Sequence, residues 1–322
     1  MSDQLSSEIA KNTKGEKILL IGSSGNIGGR ALETLLKYGK AATITAFDIK
    51  APKLKDLPSS VKVLSGDNGD ITNPEAVKNG VKGNTVVICA VGVPRYVAQG
   101  EKKLTGYEIE QNGMQHIVEA ARADGVQQLI YISALGVARG DNIPSFHTAH
   151  LAKKAAESIV LNSGIPYTIV RPSGYFFDFR DLLAAAVAGR YHVVDDGKAR
   201  VQPLHEEDTA TILVASINNK KVKNKIIPLG GFETFSYYEL GKLFGKVLKK
   251  EVNIISLAPE KYKKEYFNSD VILFRATSDS ILTKSELDDL KTFYPGLSLK
   301  KLEEYLNNPD DPMLKAFFQK AT

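Results

Sequence analysis

The chain has 322 residues, 43% of them hydrophobic and 25% charged, with a formal net charge of +5. That composition supports a packed protein and excludes global disorder, and the length fits one large domain with a smaller one appended. A single cysteine, Cys89, excludes an internal disulfide, and no apolar run approaches the ~18 residues that span a bilayer.

The opening stretch MSDQLSSEIAKNTKGEK lacks the apolar core of a secretory signal and the arginines of a transit peptide. Residues 1–14 are therefore expected as a flexible polar tail and the protein as cytoplasmic, in keeping with one thiol set in an apolar run. From Lys17 the pattern becomes regular. Lys17–Ile21 predicts a strand, and Ile27–Tyr38 a helix with Ile27, Ala31, Leu32, Leu35 and Leu36 on one stripe. Thr43–Phe47, Val61–Leu64 and Thr85–Val91 predict strands. Tyr107–Ala123 predicts a helix, Gln128–Ser133 a strand, Phe146–Asn162 a helix and Pro166–Val170 a strand. Such alternation implies parallel strands joined by crossover helices, and the unbroken runs TVVICAV and QLIYI suit strands covered on both faces.

After Arg171–Pro172 the pattern loosens. A helix is expected at Arg180–Ala188, a strand near Val201, a helix at Glu206–Ile217 and a strand at Lys225–Leu229. Beyond Gly231 the reading is mostly helical, with Tyr237–Lys249, Leu299–Leu306 and Pro312–Gln319 as elements. Asn219 to Lys264 holds 11 Lys, 4 Glu and no Arg. We read it as a solvated face and expect no nucleic-acid partner, because base readout relies on Arg. The five histidines are scattered and show no metal-ligand spacing, and no Gly-x-Ser-x-Gly elbow marks a hydrolase.

The first strand runs into Gly22-Ser23-Ser24-Gly25-Asn26-Ile27-Gly28-Gly29. Glycines at this spacing, between a strand and a helix, permit a tight turn, close approach of a pyrophosphate and close helix–sheet packing. The helix start then offers its N–H groups to phosphate. Gly22, Ser24, Gly25, Asn26, Ile27 and Gly28 are the candidate cradle. Asp48 closes the next strand about 20 residues on, where a carboxylate meets ribose hydroxyls. Gly66-Asp67-Asn68-Gly69-Asp70 and Ala90-Val91-Gly92-Val93-Pro94 follow the third and fourth strands. Ligands of open α/β sheets sit at such strand ends, so Asp67 is a candidate for the adenine amino group and Ala90, Val91 and Gly92 for the cofactor's path. A plain turn is the competing reading for Asp67. The expected fold is α/β: a Rossmann-type doubly wound parallel sheet (15–172 and 204–230) with a smaller, mainly helical C-terminal substrate domain (173–203 and 231–322).

The glycine turn, Asp48, GDNGD, AVG, LIYISALG and GIPYTIVRPSGYF occur in the order of the atypical short-chain dehydrogenase/reductases. The chain resembles their NmrA-like and isoflavone-reductase-like branch from Lys17 to about Gly231. The segment VQPLHEEDTA is similar too, with Glu206 and Asp208 read as helix-start residues. The superfamily's Tyr-x-x-x-Lys is missing: the helix reads FHTAHLAKKAAE, which leaves Ala149 with Lys153 or His150 with Lys154. Lys153 flanks the apolar stripe of Leu151, Ala155 and Ile159 with Ala152, Ala156 and Val160, whereas Lys154 falls opposite it. The resemblance agrees, since relatives carry a catalytic Lys at this distance before GIPYT. Lys153 is thus the candidate catalytic and ribose-holding residue, against a plain surface lysine.

The resemblance further implies Ser133 as a substrate-polarising residue, Pro172 beside the nicotinamide, and Ser173, Tyr175 and Phe176 as pocket residues. For Ser133 a turn role, and for the aromatics a core role, stay open. It implies a small-molecule substrate and a nicotinamide cofactor, with NAD(H) preferred on the strength of Asp48 and NADP(H) as the alternative. Three functions remain: an NAD(P)H-dependent reductase, a non-catalytic NAD(P) sensor, or an accessory subunit of a larger assembly.

Overall fold

The computed structural model describes residues 1–92, 105–138, 147–265, 273, 276–308 and 314, with the side chains of 147–149 and 180 excepted. Val93, Pro94, Phe146, the Ala149 side chain and all of the expected 312–319 helix but Leu314 lie outside the described residues.

Sheet strands are labelled β1–β7 and the helices packed on them α1–α6; other elements are given by range. In chain order these are α1 (Asp3–Asn12), β1 (Lys17–Ile21), α2 (Asn26–Tyr38), β2 (Thr43–Phe47), β3 (Val61–Leu64), α3 (Pro74–Val81) and β4 (Val86–Cys89). Then come α4 (Gly113–Asp124), β5 (Gln128–Ile132), α5 (His147–Leu161), β6 (Tyr167–Pro172), α6 (Glu206–Ala215) and β7 (Lys225–Leu229). The strands lie in the order β7-β6-β5-β4-β1-β2-β3, and every pairing is parallel. This is the doubly wound Rossmann-type sheet expected from the alternating apolar runs.

Alternate side chains feed two cores. Ile18 and Leu20 face α1, α2 and α6, while Leu19 and Ile21 face α3, α4 and α5. Both faces of the central strands are covered, so β1, β4 and β5 are apolar runs without polar alternation, whereas the edge strand β3 (VKVL) is partly exposed. Because all strands run the same way, their C-terminal ends share one edge. The glycine turn, Asp48, Asp67, Ala90, Ser133 and Pro172 all lie along it.

Residues 1–14 differ from the expected tail. They form α1, capped by the Ser2 hydroxyl, which accepts the Leu5 N–H at 3.2 Å. Leu5 and Ile9 are buried among α2 and α6 residues. The Thr13 hydroxyl donates to the Ile9 carbonyl (2.7 Å) and accepts the Lys40 N–H (2.8 Å). Two apolar residues four apart make a stripe too short to read, yet burying each removes about 1.5–3 kcal/mol worth of apolar surface from water.

A third apolar cluster joins Phe179, Leu183, Tyr191, Val201, Phe244 and Leu302. The C-terminal region is less purely helical than expected. Tyr191–Val194 pairs in parallel with Ile254–Leu257, and Arg200–Val201 pairs antiparallel with Phe235–Ser236. The expected helix at Tyr107–Ala123 is also not uniform: Glu108–Asn112 is a π-helical turn leading into α4.

Candidate functional site

The glycine turn is built by close contacts. Gly22 has φ +86°, and a Cβ there would stand 2.9 Å from the Ala90 carbonyl carbon. A Cβ on Gly28 would stand 2.0 Å from the Gly22 oxygen, so only glycine lets α2 press on the turn. Gly25 is different. It is exposed, has ordinary φ, and caps α2 with no side-chain hydrogen bond. The first paired amide of α2 is Gly29, to the Gly25 carbonyl at 2.9 Å. The amides of Asn26 and Ile27 thus point out of an uncapped helix start that has no acidic residue in its first turn. The Ser23 hydroxyl beneath is fully buried and has no hydrogen-bond partner among the described residues. A cradle that a Cβ would fill and a ring of outward amides fit a pyrophosphate.

Asp48 is half-buried at the end of β2. Its Oδ2 accepts the Ser24 N–H at 3.0 Å and its Oδ1 accepts the Lys50 N–H at 3.4 Å. The carboxylate therefore braces the glycine turn as well as facing the strand-end crevice. Asp67 is exposed in the turn Gly66–Gly69, which packs so closely that a Cβ on Gly69 would meet the Asp48 carbonyl oxygen at 2.0 Å. Ala90 donates its N–H to Ile21 (2.9 Å), Val91 is half-buried, and Gly92 is exposed with open space around it. Arg30, half-buried on α2, lies in the field of Glu206 and Glu207 on α6.

On α5 the buried line is Ala152, Ala156 and Val160; Leu151, expected on that stripe, is 40% exposed. The inward face is rotated by one residue, which carries Lys153 inward and leaves Lys154 exposed. Lys153 Nζ forms an ion pair with Glu110 Oε1 at 2.8 Å, donates to the Ile132 carbonyl at 3.2 Å, and lies 5.3 Å from the Tyr131 ring centre. Its side chain is 14% exposed and that of Glu110 1%. Tyr131 donates its hydroxyl to Glu110 Oε2 at 2.9 Å. Burial, with Glu110's charge adding, pushes the Tyr131 phenol well above its ordinary value, so it stays a neutral donor. Burial likewise pushes the Cys89 thiol up to about 12, leaving it inert as a nucleophile.

Ser133 follows Ile132. Its hydroxyl is buried without a hydrogen-bond partner among the described residues. The structure thus gathers Lys153 and Ser133 at the end of β5, and Pro172 ends β6 beside it. The Ser173 hydroxyl is engaged by the Gln202 carbonyl at 2.5 Å. Tyr175 is half-buried and stacks on Phe177 at 5.5 Å, whereas Phe176 is buried in the C-terminal cluster against His205 and Tyr305. Behind the site, Arg171 Nε donates to Glu157 Oε1 at 2.8 Å. Among the described residues no group of three His, Cys, Asp or Glu is placed to hold a metal, and no helix is long and apolar enough to cross a membrane.

Sequence reasoning missed Glu110. The signal was present: Glu110 shares helical spacing with Met114, Ile117 and Ala121, and an acid on an apolar stripe needs a buried partner.

A doubly wound parallel sheet with a glycine turn, an uncapped helix start and a strand-end aspartate defines a dinucleotide-binding Rossmann protein. The chain belongs to the NAD(P)H-binding family, whose model matches residues 22–220, and a nicotinamide cofactor goes with that membership. A divinyl chlorophyllide a 8-vinyl-reductase of Cucumis sativus is 25% identical over 267 residues, 77% of this chain and 61% of that protein. The chain thus spans about three fifths of that relative's length. A phenylcoumaran benzylic ether reductase of Pinus taeda is 24% identical over 326 residues, 91% of this chain and 98% of that protein. Among solved structures, triphenylmethane reductase of Citrobacter sp. complexed with NADP(H) has the same fold. Its TM-score is 0.71 at 22% identity, covering 94% of this chain and 99% of that one.

Proposed function

We propose that the chain is an NAD(P)H-dependent reductase of a small, planar, conjugated or aromatic molecule. The observation that carries this reading is the shared edge: the open glycine turn follows β1, and Lys153 reaches the end of β5, one residue from Ser133. The cofactor supplies a hydride when bound. Gly22, Ser24, Gly25, Asn26, Ile27 and Gly28 hold its pyrophosphate, Asp48 the adenosine ribose, Asp67 the adenine, and Ala90, Val91, Gly92 and Pro172 line its path. An ammonium has three N–H groups. Lys153 donates one to the Ile132 carbonyl while its charge is paired with Glu110, and another serves a ribose hydroxyl or the substrate. The Ser133 hydroxyl donates to a substrate oxygen, which offsets its burial without a partner. Tyr175 offers a flat apolar wall. The similar proteins include a phenylcoumaran benzylic ether reductase and a triphenylmethane reductase, whose named substrates are aromatic.

A preference for NAD(H) is the finer part of the proposal. It rests on Asp48 and on Arg30, which lies in the field of the α6 acids. Bound NADP(H) belongs to the Citrobacter protein. A second reading, a dinucleotide sensor without turnover, is favoured by one observation: α5 carries no Tyr. NADH and NADPH oxidation across a panel of quinones, enones and triarylmethane dyes separates the two. Turnover lost in Lys153→Met supports the reductase. Dinucleotide binding with no oxidation of either cofactor across the panel overturns it.

A further inference from the structure

Glu110 is a buried carboxylate that pairs with Lys153, and three observations give it a role of its own. First, it lies in the π-turn Glu108–Asn112, closed by the Gly113 N–H donating to the Glu108 carbonyl. Inserted turns of this kind break the 3.6-residue register and re-aim side chains, often at functional sites. Gly113, at the turn's end, packs closely on Ile71: a Cβ there would stand 2.8 Å from Ile71 Cγ1. Second, the Glu110 side chain is 1% exposed, and its two described partners converge from different elements: Tyr131 of β5 at 2.9 Å and Lys153 of α5 at 2.8 Å. Third, Lys153 is a long side chain with freely rotating single bonds, yet its Nζ is fixed between Glu110 and the Ile132 carbonyl, one residue from Ser133.

We propose that Glu110 is a positioning residue for Lys153: Tyr131 fixes the carboxylate, and the carboxylate fixes the ammonium. The ion pair with Glu110 and the hydrogen bond to the Ile132 carbonyl together hold the ammonium at the end of β5. A lysine without the ion pair would sample more rotamers and lose that placement. The inference rests on the role given to Lys153 in the proposed function.

The test uses the whole chain carrying Glu110→Gln, Glu110→Asp, Lys153→Met and the double variant Glu110→Gln with Lys153→Met. Three quantities are read: NADH and NADPH affinity by calorimetry, the rate at which an acylating reagent labels Lys153 (by peptide mass spectrometry), and kcat and KM where turnover is found. If Glu110 acts through Lys153, Glu110→Gln weakens dinucleotide binding or kcat by about tenfold or more, speeds labelling of Lys153, and has no further effect once Lys153 is Met. Glu110→Asp recovers part of the loss, which a mere packing defect would not show; melting curves identify variants that are simply unfolded, and Glu110→Asp carries the test if Glu110→Gln is one. The positioning role is overturned if Glu110→Gln leaves labelling and affinity unchanged, or if its effect is equal with and without Lys153. Should Lys153→Met itself change neither affinity nor kcat, the reading of Lys153 falls, and the positioning role with it. Loss in Lys153→Met but not in Glu110→Gln removes the positioning role alone.

Discussion

Asp48→Asn removes one charge from the strand-end crevice and keeps an oxygen that can accept the Ser24 N–H. The wild-type carboxylate uses one acceptor position on each oxygen, at 3.0 Å to Ser24 and 3.4 Å to Lys50. A carboxylate has about four such positions, so about two stay open for the paired hydroxyls of an adenosine ribose. A 2′-phosphate there meets like charge instead. Two unit charges ~4 Å apart repel by roughly 1 kcal/mol in water and about 4 kcal/mol at an effective dielectric of 20. Asp48 is half-exposed, and salt screens it. A net penalty of about 1–2 kcal/mol, or roughly 5–30-fold, is the resulting expectation. Calorimetric titration of NADH and NADPH should give that ratio in favour of NADH, shrinking toward one in Asp48→Asn and in high salt. Asp48→Ser also removes the brace on the glycine turn and should weaken both cofactors. Tighter binding of NADPH by the wild type, or an unchanged ratio in Asp48→Asn, refutes the reasoning.

Gly25→Val should abolish dinucleotide binding in calorimetry while the circular dichroism spectrum and melting point hold. Gly28→Ala, whose Cβ would meet the Gly22 oxygen at 2.0 Å, should lower the melting point as well. Ile9→Ala deletes a fully buried side chain of α1 and should cost about 2–5 kcal/mol in urea unfolding; an unchanged midpoint would mean that α1 is not docked. Asp208 is pushed up to about 6 by burial, although it accepts the Lys300 N–H at 2.8 Å. Its folded pKa exceeds the unfolded value of about 3.9, so the folded form binds the extra proton between those values. Stability from this group is full below about pH 4 and is lost as pH rises through about 6, with an upper bound near 3 kcal/mol. Asp208→Asn should flatten that part of the stability profile; identical wild-type and variant profiles between pH 4 and 7 would count against it.

The sheet was legible because its central strands are buried on both faces. KILLI, TITAF, VVIC and QLIYI are apolar runs bounded by turn residues, and no helix-length stripe competes with them. The glycine turn was legible because its contacts are local: Gly28 meets Gly22, six residues away. What escaped depends on distant partners. Tyr191–Val194 becomes a strand only by pairing with Ile254–Leu257, some 60 residues on. α1 is ordered by α2 and α6, and the π-turn at Glu108–Asn112 cannot be seen by a reading that assumes a 3.6-residue period. Lys153 was found by its flank position, but the carboxylate that holds it sits 43 residues earlier in the chain. The Lys284–Phe293 helix went unread, although its capping box, Thr283 with Glu286, is a purely local signal.

The seventh strand has a consequence for any attempt to take the molecule apart. β7 reaches the sheet only after the chain has left it at Pro172, passed through residues 173–203 and returned along α6. A fragment ending at Pro172 would bare the outer edge of β6, strip Ile212 and Leu213 from the face shared with α2, and leave the Thr168 hydroxyl without the Val222 carbonyl. Such a piece is not a portable cofactor module: its raw edge invites pairing with other chains. The two halves made by a cut near Pro172 should be soluble only when expressed together. In that form they would behave as a complementing pair, each supplying the surface that the other was interrupted to receive.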